Sequence, residues 1–230
     1  HWGASVASSP NGLTPTRSYG QYKGCNYPAS LEFYEEVAKY WITNYGIDGW
    51  RLDQCYQVGV YGDGCYTGGH NYWYEIRQAV EAAAASRKSA GETWGTLGYM
   101  VGECWDGSAS VIQAEVVAPG SASGYGLRSC FDFPSRYSIV NTLAKGESDS
   151  GGNALGSSAA YVLETSSEKG YYHPDGYYPN VFISNHDLVR FGNLLNWKYS
   201  ITPDSGDSYW GRHKIALSIL ASYSGPVTVY

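Results

Sequence analysis

The feature that most constrains this chain is a repeated succession of an amphipathic helix and a short apolar strand. Apolar residues within 31–42 recur at the spacing of one helical face, and Gly46 is placed to end that helix. Residues 47–53 then read as a strand. The same succession returns as a helix over 72–88 and a strand over 97–103. Helices that alternate with single strands are typical of a parallel sheet with the helices outside it.

Three more strand-like segments follow, at 125–131, 181–184 and 226–230. Proline opens a predicted helix over 134–145, and another helix is predicted over 210–223. The α/β pattern therefore contains about five strands with helices outside. Because an open parallel edge is a liability, we expect these strands to be part of a larger closed sheet.

The composition excludes two classes of partner. The net charge is −6 and the basic residues are scattered, so the electrostatic footprint of nucleic-acid binding is absent. No apolar run reaches the roughly 18 residues that a membrane span needs. Aromatic residues make up 16% of the chain, and amphipathic rings suit carbohydrate surfaces as well as protein cores.

Two carboxylates lie at the ends of successive predicted strands. Since a strand alternates faces, Arg51 and Asp53 point the same way, and Trp50 and Leu52 point the other way. A guanidinium beside a carboxylate favours the ionised carboxylate, although a purely structural ion pair explains the same pattern. Glu103 ends the next strand after apolar residues, so we expect a buried carboxyl group there.

A polar triplet follows the apolar segment 181–184. Asn185, His186 and Asp187 would be expensive to bury there without partners, although Asn and Asp also open helices. Because the carboxyl ends of parallel strands meet at one edge, we expect Asp187 at the same rim as the other two carboxylates.

These segments resemble the motifs of the α-amylase family, glycoside hydrolase family 13. Residues 49–53 resemble the motif that carries the nucleophile on barrel strand four, and 102–103 resemble the strand-five motif with the acid/base. Residues 182–187 resemble the strand-seven motif, and 225–230 resemble strand eight. The resemblance implies a partial (β/α)8 TIM barrel, comprising strands four to eight.

The resemblance also implies a domain organisation and an activity. Residues 28–230 would form the second half of the catalytic barrel, and 1–27 the tail of an inserted subdomain. The implied activity is endo-acting, retaining hydrolysis of α-1,4-glucosidic bonds in glucans of the starch and glycogen type, as in an α-amylase. The α-glucan would be the substrate; the sequence does not define an oligomeric state.

The same resemblance assigns a role to each candidate residue. Asp53 is the implied nucleophile, Glu103 the general acid/base and Asp187 the group that stabilises the transition state. The implied substrate-binding residues are Arg51, His186, Asn185, Trp105 and Tyr56. For Trp105 and Tyr56, core packing explains the ring equally well.

The chain departs from the family pattern after the nucleophile. Tyr56 and Gln57 stand where the family usually has Lys-His, and in many α-amylases the backbone carbonyl of that His binds calcium. A carbonyl does not depend on the side chain, so Gln57 is the implied ligand of a Ca²⁺ ion. No organic cofactor is implied.

Five cysteines fit an oxidising compartment, so we expect a secreted protein, extracellular or periplasmic. Disulfides between Cys55 and Cys65 and between Cys104 and Cys130 are one option, and buried thiols are the other.

Three alternatives to an endo-acting hydrolase stay open. An α-glucosidase or a transglycosylase of the same family would share every catalytic residue. A non-catalytic carbohydrate-binding or assembly protein would need none of them. Finally, we expect the 230-residue piece alone to be inactive, because half of the barrel rim would be missing.

Overall fold

The computed structural model describes residues 30–55, 72–106, 112, 126–144, 178–223 and 225–230. The chain forms two compact units. Unit 1 comprises His1–Cys104 and Ala114–Arg128, and unit 2 comprises Trp105–Gln113 and Ser129–Tyr230. In the described part of the chain, no helix is both long and apolar enough to cross a membrane.

Unit 1 contains two helix–strand pairs. Helix α1 spans Ser30–Tyr45 and precedes strand β1, Gly49–Leu52; helix α2 spans Tyr72–Ser89 and precedes strand β2, Tyr99–Gly102. The two strands pair in parallel, with Gly49 opposite Tyr99 and Leu52 opposite Gly102. The predicted order of elements and the parallel pairing are confirmed for this unit.

Two glycines set the path of the chain from α1 into β1. Gly46 has a φ of 68°, a left-handed conformation that ends α1, and its N–H donates to Ile42 O at 3.0 Å. At Gly49 an added Cβ would lie 1.8 Å from Tyr99 O, so only glycine permits this approach of the two strands.

The core of unit 1 lies where α1 packs on α2. Arg87 ties the two helices together, because its guanidinium donates to Thr43 O at 2.7 Å and to Trp94 O at 2.9 Å. Trp50 reaches from β1 to α1 and donates to Ala38 O at 3.3 Å. Buried apolar side chains fill the space between these elements: Ala38, Ile42, Ile76, Val80, Ala84, Met100 and Val101.

The described residues of unit 2 are mainly helical. Their helices are α3, Phe133–Leu143; α4, Phe191–Tyr199; and α5, Asp207–Ser222, with a short 3-10 turn at Pro203–Ser205. Asp132 caps α3 by accepting from Ser135 N at 3.0 Å, and Pro134 occupies its first turn, as the sequence predicts. Buried side chains of all three helices pack against Val181 and Ile183, including Ile139, Val140, Leu194, Leu195, Ala216 and Leu220.

In the described residues, the three segments predicted as strands in the second half of the chain pair in parallel but do not form extended strands. Segments 126–131, 180–184 and 225–230 contribute only single parallel bridges, Phe131 with Asn180 and Val181 with Val227. Pro226 has no N–H to donate, so only its carbonyl oxygen pairs, with Val181 N at 3.0 Å.

Helix boundaries in unit 2 also differ from prediction. Helix α5 begins at Asp207, three residues before the predicted start, and ends at Ser222. Helix α4 was not predicted, since Gly192 and Asn193 are poor helix formers. Its burial of Phe191, Leu194 and Leu195 outweighs that local preference.

Candidate active site

Arg51 joins two carboxylates at the end of the parallel strand pair in unit 1. Its Nη1 donates to Asp53 Oδ1 at 2.5 Å, and its Nη2 donates to Glu103 Oε1 at 2.7 Å. The strand register explains the arrangement, because Leu52 pairs with Gly102 and the next residue on each strand is a carboxylate. Both acids therefore lie at one edge of the sheet, and one guanidinium fixes their orientation.

The two acids differ sharply in their exposure to water. The Glu103 side chain is 4% exposed, whereas that of Asp53 is 70% exposed and that of Arg51 is 32% exposed. The expected burial of Glu103 is thus confirmed, but its carboxylate contacts a guanidinium and not apolar groups alone. A buried charge needs such partners, and Arg51 supplies one.

Backbone hydrogen bonds hold both the N–H and the C=O of Glu103. Glu103 N donates to Leu52 O at 2.8 Å, and Cys55 N donates to Glu103 O at 2.9 Å. The side-chain oxygen Oε2 accepts from Gln54 N at 3.3 Å. Gln54 has a φ of 41°, which is uncommon for a residue with a side chain and turns its N–H toward the carboxylate.

A turn in unit 2 organises the polar triplet. The buried side chain of Asn185 accepts from Asp187 N at 3.0 Å and from Leu188 N at 2.9 Å. His186 Nε2 lies 3.1 Å from Asp187 Oδ2, with both side chains partly exposed. The triplet does not open a helix, because α4 begins only at Phe191. Asn185 is therefore a turn-forming residue that presents His186 and Asp187 at the surface.

Arg190 and Tyr230 support this turn. Arg190 Nη1 donates to Asn185 O at 2.8 Å, and the guanidinium carbon lies 4.1 Å from the centre of the Tyr230 ring. The His186 ring centre is 6.0 Å from that of Tyr230. The turn is thus held through its backbone and through a cation–π contact.

Trp105 is an exposed ring with fixed neighbours in unit 2. It stacks on Phe133 at 5.4 Å between ring centres and an angle of 16°, and its Nε1 donates to Tyr137 Oη at 2.8 Å. The side chain is nevertheless 45% exposed.

Comparison with known proteins identifies the family. A family model described as alpha amylase, catalytic domain, matches residues 27–230. The chain belongs to the α-amylase family. The match covers most of the chain and includes every candidate residue named above.

Two curated relatives match parts of this α-amylase family chain. Maltogenic α-amylase of Bacillus acidopullulyticus is 33% identical over 92 residues, which is 40% of this chain and 14% of that protein. Cyclomaltodextrinase of Geobacillus thermopakistaniensis is 35% identical over 68 residues, which is 30% of this chain and 10% of that protein.

A solved structure of AmyP in complex with maltose extends the likeness to the fold. It shares 37% identity with a TM-score of 0.71, and the likeness covers 98% of this chain and 41% of the AmyP chain. The α-amylase family chain described here thus spans less than half the length of AmyP.

Two predicted site residues of this family member, Tyr56 and Gln57, lie outside the described residues. Across the ranges that the structure describes, no three His, Cys, Asp or Glu side chains are grouped so that they could hold a metal ion. Calcium binding through the Gln57 carbonyl therefore stays a prediction.

Sequence patterns do not single out three further residues of this family member, one in unit 1 and two in unit 2. Gln54 donates to Glu103, Tyr137 accepts from Trp105, and Tyr230 faces Arg190. Only the likeness of 225–230 to barrel strand eight could have drawn attention to Tyr230, since the other two contacts depend on the fold.

Buried thiols account for the described cysteines. Cys55, Cys104 and Cys130 are buried thiols and are not joined in disulfides. Cys65 lies outside the described residues. Cys55 Sγ donates to Glu103 O at 3.2 Å, and Cys55 O accepts from Trp73 Nε1 at 2.7 Å. This thiol is thus part of the support of Glu103.

Proposed function

We propose that the protein is a retaining glycoside hydrolase that cleaves α-1,4-glucosidic bonds within glucans of the starch and glycogen type. The carrying observation is that one guanidinium, that of Arg51, contacts the carboxylates of both Asp53 and Glu103. A retaining glycosidase needs two carboxyl groups about 5–5.5 Å apart. Neighbouring strands lie about 4.8 Å apart, so acids at successive strand ends suit that separation.

In the proposed first step, Asp53 attacks the anomeric carbon of the sugar while Glu103 protonates the glycosidic oxygen. The bond from the anomeric carbon to the leaving oxygen breaks, and a bond to the Asp53 carboxylate forms. The Asp53 side chain is exposed, so an entering sugar can reach it, and Arg51 holds its carboxylate in one orientation.

In the second step, water resolves the glycosyl-enzyme. Glu103 removes a proton from the water, whose oxygen attacks the anomeric carbon and displaces Asp53. Burial of the Glu103 side chain and its support by Gln54 N limit its movement between the two steps. Two displacements at one carbon retain the anomeric configuration.

In addition to the nucleophile and the acid/base, we propose that the triplet in unit 2 binds the sugar ring. His186 and Asp187 are partly exposed and are presented by the Asn185 turn, so both can bind sugar hydroxyl groups. Asp187 is proposed to bind the ring more tightly in the transition state than in the ground state, which raises the rate. The Asn185 side-chain oxygen accepts from two backbone N–H groups, so we propose that Asn185 acts on substrate through this turn.

The family membership supports further proposals on architecture. We propose strands four to eight of a (β/α)8 barrel for residues 28–230, and the tail of an inserted subdomain for residues 1–27. A structural calcium ion that contacts the Gln57 carbonyl is proposed on the same resemblance, and secretion is proposed on the cysteine content alone. Mass spectrometry of the secreted fraction and melting with and without a chelator test these two proposals.

The function is tested with the full-length protein that contains this chain. Glu103→Gln is expected to nearly abolish release of reducing ends from starch while starch binding is kept. Glu36→Gln is the matched control, because it removes a carboxylate on α1 that pairs only locally with Lys39. Activity of Glu103→Gln within a few-fold of wild type would contradict the acid/base role, and an inverted product anomer in NMR would contradict retention.

A second candidate function is hydrolysis of cyclic or short maltooligosaccharides, or transfer of their sugar units. The observation that favours it is the likeness to a cyclomaltodextrinase and a maltogenic α-amylase. Products from starch, a cyclomaltodextrin and maltose distinguish the candidates. Limit dextrins from starch indicate endo action, whereas preference for the ring or release of glucose alone indicates the second candidate. Binding without any turnover would indicate a non-catalytic protein.

The 230-residue chain by itself is proposed to lack activity. It spans 41% of the AmyP chain, so residues outside it are expected to contribute to the site. Release of reducing ends from starch by the isolated chain would contradict this proposal.

A further inference from the structure

Trp105 combines exposure with an unusually fixed position. One face of the indole stacks on Phe133, which is fully buried at the start of α3. Its only polar atom, Nε1, donates to the phenol oxygen of Tyr137 one turn further along that helix. Side chains on a surface usually gain entropy by moving, so an exposed ring held at two points needs an explanation.

Tyr137 is itself held from the interior of unit 2. The guanidinium carbon of Arg136 lies 5.2 Å from the centre of the Tyr137 ring. Arg136 is fully buried, and its Nε donates to Ile183 O at 3.4 Å. The support of Trp105 therefore continues from α3 to the segment that leads directly into the Asn185 turn.

We infer that Tyr137 is a positioning residue that holds Trp105 as a stacking platform for a pyranose ring of an α-glucan. This inference rests on the proposed function. The exposed part of the indole offers an apolar surface to the C–H face of a sugar, and no charge lies on the ring itself. Because the indole N–H is already occupied by Tyr137, the sugar is recognised by stacking and not by a hydrogen bond from Trp105.

The competing interpretation is that Trp105 only covers Phe133. Stacking alone would shield Phe133 from water, and the indole N–H could then hydrogen-bond to water without a loss of free energy. The hydrogen bond to Tyr137 Oη does not shield Phe133 any further, but it fixes the rotation of the indole in its plane. A fixed ring loses less entropy when a sugar binds, which strengthens binding without changing the chemical step.

A double-mutant cycle in the full-length protein tests this role, with maltoheptaose as substrate. Tyr137→Phe removes one hydroxyl group and keeps the ring over Arg136. We expect KM to rise about threefold to tenfold, as for one lost hydrogen bond, with kcat within twofold of wild type. Trp105→Phe removes the indole N–H, so adding Tyr137→Phe to it is expected to leave KM unchanged. Tyr199→Phe is the matched control, since its ring also lies beside a guanidinium, that of Arg212, at 4.4 Å.

Each outcome bears on one claim. An unchanged KM for Tyr137→Phe, or independent effects of Tyr137→Phe and Trp105→Phe, would overturn the positioning role. An equal rise of KM in Tyr199→Phe would attribute the effect to general loosening of unit 2 and would overturn it too. A wild-type protein that leaves maltoheptaose intact would instead overturn the proposed function.

Discussion

At the scale of single residues, one arginine joins the two acids of the candidate site. The sequence pairs Arg51 with Asp53, because they lie two apart on one strand. The parallel register of β1 and β2 brings Glu103 to the same guanidinium. This register cannot be read from the sequence. The identity of the acids could therefore be predicted from the sequence, whereas the shared partner required the fold.

Replacing Arg51 by lysine tests the shared contact. A lysine has one ammonium group and cannot present two parallel donors to two carboxylates, so Arg51→Lys is not a conservative change here. We expect kcat on starch to fall by about a hundredfold or more, the loss typical of a misplaced catalytic group, with KM changed less. Arg128→Lys is the control, since Arg128 forms an exposed ion pair with Glu81. A kcat for Arg51→Lys near the wild-type value would show that the double contact is dispensable.

Asn185 gives a second prediction at this scale. Asn185→Ala removes the acceptor for Asp187 N and Leu188 N, and each lost hydrogen bond in this partly buried turn costs about 0.5–1.5 kcal/mol. The turn is expected to open, with loss of both stability in urea and kcat. Asn185→Asp keeps an acceptor in the same place and is expected to recover most of the stability. Equal urea midpoints for the alanine and aspartate variants would argue against the turn-forming role.

At the scale of elements, local patterns predicted the helices better than the strands. Helices α1, α2 and α3 have strong periodicity or clear end signals, and each lies within two residues of its prediction. Strand-like segments in unit 2 are short, and their pairing depends on partners far away in sequence, so they form only single bridges. Helix α4 forms although local patterns do not predict it, because burial of its apolar side chains outweighs the low helix propensity of its glycine and asparagines.

Glycine substitutions test the strand contact in unit 1. In Gly49→Ala the new methyl group would lie 1.8 Å from Tyr99 O, so β1 and β2 would have to separate. We expect a loss of stability of about 3 kcal/mol or more, or failure to fold. Gly211→Ala is the opposite control, because nothing lies within 4 Å of its added Cβ in α5. There the helix is expected to gain about 0.5–1 kcal/mol in urea unfolding. A stable Gly49→Ala protein with unchanged activity would contradict the described strand register.

At the scale of the whole molecule, short motifs predicted the α-amylase family, whereas the fold was predicted only in outline. The motifs that resemble the family are local, so the candidates Asp53, Glu103 and Asp187 could be named from a few residues each. Sheet closure and the partners of each side chain involve distant segments, and the sequence pattern does not specify them. The cysteines illustrate the limit, because their spacing permits two arrangements that only packing can decide.

Thiol accessibility gives a prediction for the molecule as a whole. Cys55, Cys104 and Cys130 are at most 2% exposed and are thiols, so an alkylating reagent cannot reach them in the folded protein. Without any reductant, peptides that contain them are expected to carry iodoacetamide adducts only after unfolding in guanidinium. Peptide mass spectrometry measures this for each cysteine separately. A linked Cys104–Cys130 peptide, or labelling of Cys55 in the native protein, would contradict the described packing. Because Cys55 supports Glu103 through its backbone and its thiol, native labelling at Cys55 would also be expected to abolish turnover.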